Sequence, residues 1–201
     1  MTWWFTADEH IEHDNIRHHC ARQFSSAWEM WCTIRERHNE RVQPEDTVYH
    51  LGDFCWSSAG NRVGEYLQEL TGRHVLVAGN HDRCHPAHKG AEKWKRRYLA
   101  AGFEAVHERL IVYHPEIPRG ALLCHFPPND QDVRYSQWRP TFHDLGSLGW
   151  LICGHVHEKW LRRACCVNVG VDQWGFAPVS VEELGARLRA WDADPELKEF
   201  E

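Results

Sequence analysis

Short apolar runs bounded by glycine, aspartate or histidine recur along this chain of 201 residues. Runs of about four to eight residues that are rich in β-branched and aromatic side chains are typical of buried strands. The pattern predicts strands over residues 3–7, 47–51, 74–78, 106–113, 121–124, 150–153 and 165–169.

Apolar residues at helical spacing lie between several of these runs and predict four helices. A Ser-x-x-Glu capping box precedes the first and the last helix, while Gly72 and Gly102 end the second and the third. The apolar stripes are Ala27, Met30, Trp31 and Ile34; Val63, Tyr66, Leu67 and Leu70; Ala91, Trp94, Tyr98 and Ala101; and Leu184, Leu188 and Trp191. Strands that first alternate with helices and then follow one another predict a mixed α/β fold. No repeat or linker divides the sequence, so one domain is expected over residues 1–201.

Composition and charge narrow the class of protein. The sequence is 42% hydrophobic and 26% charged, as in globular domains, and its net charge of -6 argues against a broad basic footprint on a nucleic acid. No apolar run approaches the roughly 20 residues of a membrane span, and no secretory signal is recognisable. The eight cysteines contain no Cys-x-x-Cys pair, so reduced thiols and a cytoplasmic location are expected.

Metal-ligating residue types follow five of the predicted strands. In open α/β sheets the carboxyl ends of strands carry the ligands. Aspartate, asparagine and histidine at such positions suit divalent metal ions. The segments are Asp8-Glu9-His10, Gly52-Asp53, Gly79-Asn80-His81-Asp82, His125 and Gly154-His155-Val156-His157. With this composition an Asp-x-His pair is expected about once by chance, but Gly-Asn-His-Asp about 0.002 times.

In this order the five segments resemble the calcineurin-like metallophosphoesterase superfamily. The resemblance extends from residue 2 to about residue 185. The flanking residues, such as Phe5-Thr-Ala-Asp8 and Asn168-Val-Gly-Val-Asp172, are similar to those of small bacterial and phage-associated members. The resemblance implies a four-layer α/β/β/α sandwich of two mixed β-sheets flanked by helices.

The resemblance also implies two divalent metal ions. The first would be held by Asp8, His10 and His157, and the second by Asn80, His125 and His155. Asp53 would bridge them, which agrees with the need for a carboxylate to offset the repulsion between two cations. Manganese is the ion expected in vitro, with iron, zinc or nickel as alternatives.

The reaction implied is phosphoester hydrolysis by a hydroxide that bridges the two ions. His81 would serve as general acid or as a cationic group beside the leaving oxygen. Asp82 directly follows it and is expected to orient its imidazole, although Asp53 or a backbone carbonyl would do the same.

Other residues are candidates for substrate binding. His13 and Asn15 would contact phosphate or hydrogen-bond a metal ligand, with a solvated helix start as the alternative. Arg22 is a candidate for a phosphate fork, with a surface arginine as the alternative. The prolines, scattered charges and weak periodicity of residues 126–149 predict a long loop. Its basic and aromatic residues would stack a nucleobase, or Trp138 would anchor the loop on the core. These residues are Arg134, Tyr135, Trp138 and Arg139.

The resulting hypothesis is a metal-dependent phosphodiesterase for small nucleotide-like phosphate esters. A phosphomonoesterase or protein phosphatase, a nuclease acting on DNA or RNA, and a binding module without turnover are the alternatives. A nucleic acid partner is less favoured because of the acidic net charge. The oligomeric state is left open by the sequence.

Overall fold

Two five-stranded sheets form the centre of the molecule. The computed structural model describes residues 1–128 and 133–194. Residues 129–132 of the predicted loop and residues 195–201 at the end of the predicted domain lie outside the described residues.

The first sheet has the strand order β10-β1-β2-β3-β4, and the second has the order β5-β6-β7-β9-β8. Strands β1 to β4 run parallel, and β10 pairs antiparallel with β1. The second sheet is also mixed, with β6, β7 and β9 parallel and both edge strands antiparallel. The strands are β1 (Trp3–Thr6), β2 (Thr47–His50), β3 (Arg73–Val77), β4 (Phe103–His107), β5 (Arg109–Val112), β6 (Ala121–Cys124), β7 (Trp150–Cys153), β8 (Arg162–Arg163), β9 (Cys166–Asn168) and β10 (Val179–Ser180).

Six α-helices and three 3-10 turns accompany the sheets in the described residues. The helices are α1 (Ile16–His19), α2 (Ala27–Arg41), α3 (Val63–Leu67), α4 (Ala91–Ala101), α5 (Phe142–Leu145) and α6 (Val181–Ala193). The 3-10 turns are Ser57–Arg62, Val133–Trp138 and Val171–Gln173. In the parts of the chain that the structure describes, no helix combines the length and the apolar character needed to cross a membrane.

The predicted caps form at both helices, but one is incomplete. At α6, Ser180 and Glu183 make the full reciprocal capping box. At α2, the Ser26 side chain accepts the Glu29 amide, whereas the Glu29 carboxylate accepts the Ser25 amide instead. The second helix is shorter than its apolar stripe, because α3 ends at Leu67.

Apolar side chains from both sheets meet in a shared core. Leu123 of β6 and Ile152 of β7 enter this core, whereas Leu122 and Leu151 face the far side of the second sheet. Helices α2, α3 and α4 cover the outer face of the first sheet. Two mixed sheets with flanking helices confirm the predicted α/β sandwich.

The outer layer on the second sheet consists mainly of irregular chain. The segment predicted as a long loop contains the Val133–Trp138 turn and α5, with a capping box between Thr141 and Asp144. Tyr135, Trp138 and Leu145 pack on the outer face of the second sheet. The core anchorage expected of Trp138 is therefore present.

The strand predicted over residues 106–113 is two strands in two different sheets. β4 ends at His107 in the first sheet, and β5 begins at Arg109 in the second. The prediction of one continuous strand was wrong, because an apolar run reports burial and not the sheet to which each half belongs.

Candidate metal centre

The loops after β1, β2, β3, β6 and β7 converge at one edge of the two sheets. Five of the seven predicted ligands there share an unusual backbone conformation with positive φ. Their φ angles are 60° at Asp8, 50° at His10, 58° at Asp53, 71° at His155 and 49° at His157. A non-glycine residue held in this region costs on the order of 1–3 kcal/mol, and such strain is concentrated at functional sites.

Two glycines let the loops after β2 and β3 touch. A Cβ atom on Gly52, which has φ of 91°, would lie 2.5 Å from the Gly79 nitrogen. A Cβ atom on Gly79 would lie 2.3 Å from Asp53 Oδ1. Only glycine permits this approach, and it brings Asp53 against the Asn80 loop.

Three overlapping groups of side chains bring their ligand atoms within 4.8 Å of one another, among the residues described. The groups are Asp8, His10 and His157; His10, Asp53 and His81; and Asp53, His125 and His155. Asn80 joins the last group, since its Oδ1 lies 3.1 Å from His125 Nε2. The structure thus brings together all seven residues predicted as metal ligands.

Asp53 occupies the position between the two predicted ligand sets. Its Oδ2 lies 3.5 Å from His10 Nε2 and 3.5 Å from His125 Nε2. Burial raises the pKa of Asp53, but the surrounding histidines, His125 foremost, outweigh burial and hold that pKa well below its usual value. An ionised carboxylate between two imidazole groups is the arrangement expected of a bridging ligand.

The donor atoms fit divalent cations. His10 Nε2 is buried without a hydrogen-bond partner, which is costly for a polar atom that has no ligand to bind. His125 Nδ1 lies 2.7 Å from the Leu51 carbonyl and therefore donates to it, so Nε2 faces Asp53 and Asn80. Histidine that ligates a metal is commonly oriented in this way.

The electrostatics also favour positive charge at this position. Burial lowers the pKa of His125, but the carboxylates of Asp53 and Asp8 outweigh burial and raise it to about 9. Asp8 is itself held in place, because its two carboxylate oxygens accept the His155 amide at 2.9 and 3.1 Å. A site that stabilises a charged imidazole stabilises a bound cation by the same interactions.

A family model described as the calcineurin-like phosphoesterase superfamily domain matches residues 2–177. The chain belongs to the calcineurin-like phosphoesterase superfamily. The resemblance deduced from the five motif segments is therefore confirmed.

Similar proteins occur in phages, archaea and bacteria. Gene 66 protein of Mycobacterium phage D29 is 31% identical over 188 residues, which cover 85% of this chain and 88% of the phage protein. The uncharacterised protein MJ1445 of Methanocaldococcus jannaschii is 28% identical over 184 residues, which cover 88% of this chain and 85% of MJ1445. The crystal structure of AQ665 from Aquifex aeolicus, a protein of unknown function, superimposes with a TM-score of 0.68 at 27% identity and covers 92% of this chain and 98% of its own.

Asp82 of the phosphoesterase domain does not orient His81, contrary to the prediction. Its carboxylate is buried and accepts the backbone amides of Asp53 at 2.8 Å, Gly79 at 2.8 Å and Phe54 at 3.2 Å. Burial and the neighbouring Asp53 raise the pKa of Asp82 to about 7. Asp82 thus links the loop that carries Asp53 to the loop that carries Asn80, and it stabilises the backbone of the site.

His81 lies at the open side of the cluster, and its side chain is 29% exposed. Its amide donates to Asp53 Oδ1 at 2.8 Å, and its Nε2 lies 3.8 Å from Asp53 Oδ2. Its ring also packs against the Trp56 ring, with centroids 4.7 Å apart. This imidazole is surrounded by Asp53, Trp56 and the rings of His10 and His13, and not by Asp82.

His13 contacts a predicted ligand. Its Nδ1 lies 3.2 Å from His10 Nδ1, and its ring stacks on Trp56 at 3.7 Å. Burial, then the neighbouring His81 and His19, lower the pKa of His13 to about 4. A neutral His13 accepts the proton of His10 Nδ1 and leaves His10 Nε2 to face the cluster, which favours the ligand-supporting alternative over a phosphate contact.

Asn15 is exposed immediately before α1, and its predicted substrate contact stays a prediction. Arg22 is different, because it is buried with only 5% of its surface exposed. Its guanidinium donates to both carboxylate oxygens of Asp172 at 2.8 and 2.7 Å and to the Asp8 carbonyl at 2.8 Å. These bonds use the nitrogens that a phosphate fork would need, so the predicted phosphate contact of Arg22 was wrong.

Sequence reasoning missed three residues around the cluster. Asp172 Oδ2 lies 3.7 Å from His157 Nδ1 and holds Arg22 on its other side. Trp56 packs on two imidazoles, and Glu9 is buried between two predicted ligands. Asp172 had a signal in the segment Asn168-Val-Gly-Val-Asp172, and Glu9 had one in its position between Asp8 and His10.

The segment around Tyr135 borders the other side of the site. Tyr135 stacks on Phe126 at 5.4 Å, and the Phe126 ring lies 5.0 Å from the His155 ring. The Arg134 guanidinium lies 5.6 Å from the centre of the Tyr135 ring. Basic and aromatic groups of this segment therefore lie close to the His125 and His155 side of the cluster.

Proposed function

We propose that this chain is a dinuclear, metal-dependent phosphodiesterase that acts on small nucleotide-like substrates. Superfamily membership and the clustered His and Asp side chains support a metal-dependent phosphoester hydrolase in general. The observation that carries the dinuclear proposal is the position of Asp53, 3.5 Å from histidines of both predicted ligand sets.

Two divalent ions, when bound, would supply an activated water and positive charge for the phosphoryl oxygens. Asp8 and Asp53 contribute two negative charges, which leaves a net charge of about +2 for the anionic substrate. Asn80 is a neutral oxygen donor and preserves that excess. We propose manganese as the ion in vitro, with iron, zinc or nickel as alternatives.

His81 is the proposed proton donor to the leaving oxygen. It is partly exposed at the open side of the cluster, where a substrate oxygen can reach its ring. Burial lowers the pKa of His81, against the attraction of Asp53. Proton donation by a positioned imidazole contributes about 10²- to 10⁴-fold to hydrolysis.

The charge around the site supports a diester over a monoester. Among the described residues, the Arg22 guanidinium donates to the backbone of the predicted ligand Asp8, and Asp172 neutralises its charge. A monoester dianion gains more than a singly charged diester from an additional cationic fork. The Tyr135 segment beside His155 supports a substrate with an aromatic base.

The test is parallel hydrolysis of bis-p-nitrophenyl phosphate and p-nitrophenyl phosphate with manganese and after chelation. We expect turnover of the diester, loss after chelation, and recovery when manganese is restored. Asp53→Asn is the inactive control, and the exposed Asp14→Asn is the matched active one.

Other results would replace the proposal. A clear preference for the monoester would favour a phosphomonoesterase or protein phosphatase. Cleavage of polymeric DNA or RNA, with a steep loss of affinity at high salt, would favour a nuclease. No turnover by the folded, metal-loaded chain would favour a binding module.

A further inference from the structure

Glu9 is a buried carboxyl group that the proposed reaction does not use. It lies between the predicted ligands Asp8 and His10, and only 2% of its surface is exposed. Burying a carboxyl group costs several kcal/mol unless hydrogen bonds compensate. Its position therefore requires an explanation from its contacts.

The contacts of Glu9 continue into a chain of hydrogen bonds through the first sheet. Glu9 Oε1 lies 2.6 Å from His50 Nδ1, and His50 Nε2 lies 3.0 Å from His74 Nδ1. His74 Nε2 lies 3.3 Å from the Leu70 carbonyl, where the chain ends. We call Glu9, His50 and His74 the histidine relay. All three side chains are buried.

The final acceptor fixes the direction of these bonds. A carbonyl can only accept, so His74 Nε2 donates to Leu70 and a neutral His74 accepts at Nδ1. His50 Nε2 must then carry a hydrogen and donate to His74. One further proton remains for the short contact between Glu9 and His50. Burial lowers the pKa of His74 and of His50 to about 3, in agreement with neutral rings.

The turn that Glu9 occupies is strained on both sides. Asp8 has φ of 60° and His10 has φ of 50°, both unfavourable for residues with a side chain. The amides of Asp8 and His10 donate to the Gly52 and Asp53 carbonyls at 3.0 and 2.9 Å. These bonds hold the backbone of the turn, and the relay is the side-chain anchor between them.

We propose that Glu9 is a positioning residue that, through His50 and His74, holds the strained turn carrying Asp8 and His10 in the geometry of a metal ligand pair. The structural part stands on the hydrogen bonds alone. Its consequence for metal affinity rests on the proposed metal centre. Supports of this kind around metal ligands typically change affinity by about 10- to 100-fold.

The test compares Glu9→Met with Glu9→Gln. Methionine is similar in length but forms no strong hydrogen bond, whereas the glutamine amide can donate to His50 Nδ1 as a protonated Glu9 does. His38→Gln is the matched control, because His38 is buried beside the relay but donates to the Thr71 carbonyl and not to Glu9.

Two measurements report on the turn. The first is amide hydrogen exchange at Asp8 and His10 in the metal-free protein, and the second is manganese affinity by calorimetry. Glu9→Met should accelerate exchange at both amides by about tenfold or more and weaken manganese binding by about 10- to 100-fold. Glu9→Gln and His38→Gln should stay close to the wild type.

Wild-type exchange at His10 in Glu9→Met, or equal acceleration in Glu9→Gln, would overturn the proposal. If Glu9→Met does not fold, the imidazole nitrogen signals of His50 in the wild type decide the matter. A hydrogen on His50 Nε2 supports the relay, and its absence overturns it. If the wild type binds no manganese, the proposed metal centre is wrong. The hydrogen-exchange experiment still tests the positioning role of the relay in that case.

Discussion

Two buried groups of histidines lie on either side of the Asp8 to His10 turn, and they differ in the partners of their ring nitrogens. In the metal-ligand cluster, the buried His10 Nε2 has no hydrogen-bond partner. In the histidine relay, both ring nitrogens of His50 and of His74 have one. The partners of the ring nitrogens therefore distinguish a cluster that leaves a buried imidazole nitrogen open from a network that pairs both nitrogens of each ring.

The electrostatic difference between the relay and the cluster is clearest at His125. Burial dominates in the relay and lowers the pKa of His50 and His74 to about 3. In the cluster, the ionised Asp53 and Asp8 overcome burial and raise the pKa of His125 to about 9. At His10, which also lies 3.5 Å from Asp53, burial still dominates and holds the pKa well below its usual value. A facing carboxylate therefore stabilises a charged ring only where its attraction outweighs burial.

The largest effect is expected for Asp53→Asn in the cluster. It removes the charge shared by both predicted ion sites, so we expect hydrolysis to fall by at least about 1000-fold and one or both ions to be lost. Diester hydrolysis and metal content measured together check this. Retention of two tightly bound ions would contradict the bridging role, and Asp14→Asn serves as the exposed control.

The next largest effect is expected on the pH dependence of stability, and it comes from His38, which lies beside the relay. Burial lowers its pKa to about 3 from the ordinary 6.5, so the unfolded chain binds a proton below pH 6.5 that the folded protein does not. The free energy of unfolding should therefore decrease as the pH falls from 7 to 4, by roughly 2–3 kcal/mol from this residue. Urea unfolding should show a shallower decrease in His38→Gln, whereas the exposed His18→Gln should follow the wild type.

A smaller effect is expected for Arg22→Lys. Lysine keeps the charge but not the two parallel bonds to Asp172, so His157 loses part of its support. Manganese affinity at one of the two proposed sites should fall about tenfold, measured by calorimetry. Arg17→Lys is the control, because Arg17 pairs with the exposed Asp14. Unchanged manganese affinity in Arg22→Lys would show that Asp172 does not support the metal-ligand cluster.

The smallest effect is expected for Trp56→Leu. Loss of stacking on His13 and His81 should lower kcat about two- to tenfold, since such aromatic pairs contribute about 0.5–1.5 kcal/mol. Substrates with poor leaving groups should lose most if Trp56 positions the His81 proton donor. An equal loss for all leaving groups would argue against that role, and Trp56→Phe should restore most of the rate.

The sequence predicted the ligand positions better than their surroundings. Asp8, Asp53 and His125 follow buried strands, and strand ends are visible as apolar runs that stop at polar residues. The predicted roles of Arg22 and Asp82 were wrong because each side chain binds groups from another part of the chain, although Asp82 also accepts the nearby Gly79 amide. Arg22 lies 150 positions from Asp172 along the chain, and no local pattern reports such a pairing.

The sequence by itself determined the mixed α/β class, and the family resemblance carried by its motifs implied the two-sheet sandwich and the seven residues that meet in the cluster. Those features depend on local periodicity and on the order of short motifs, both of which are written along the chain. Tertiary structure alone decided which histidines keep a nitrogen without a partner and which, like His50, are closed into a relay. The reason is physical: a ring nitrogen is satisfied or left open by atoms that folding brings within about 3 Å of it, whatever their distance in sequence.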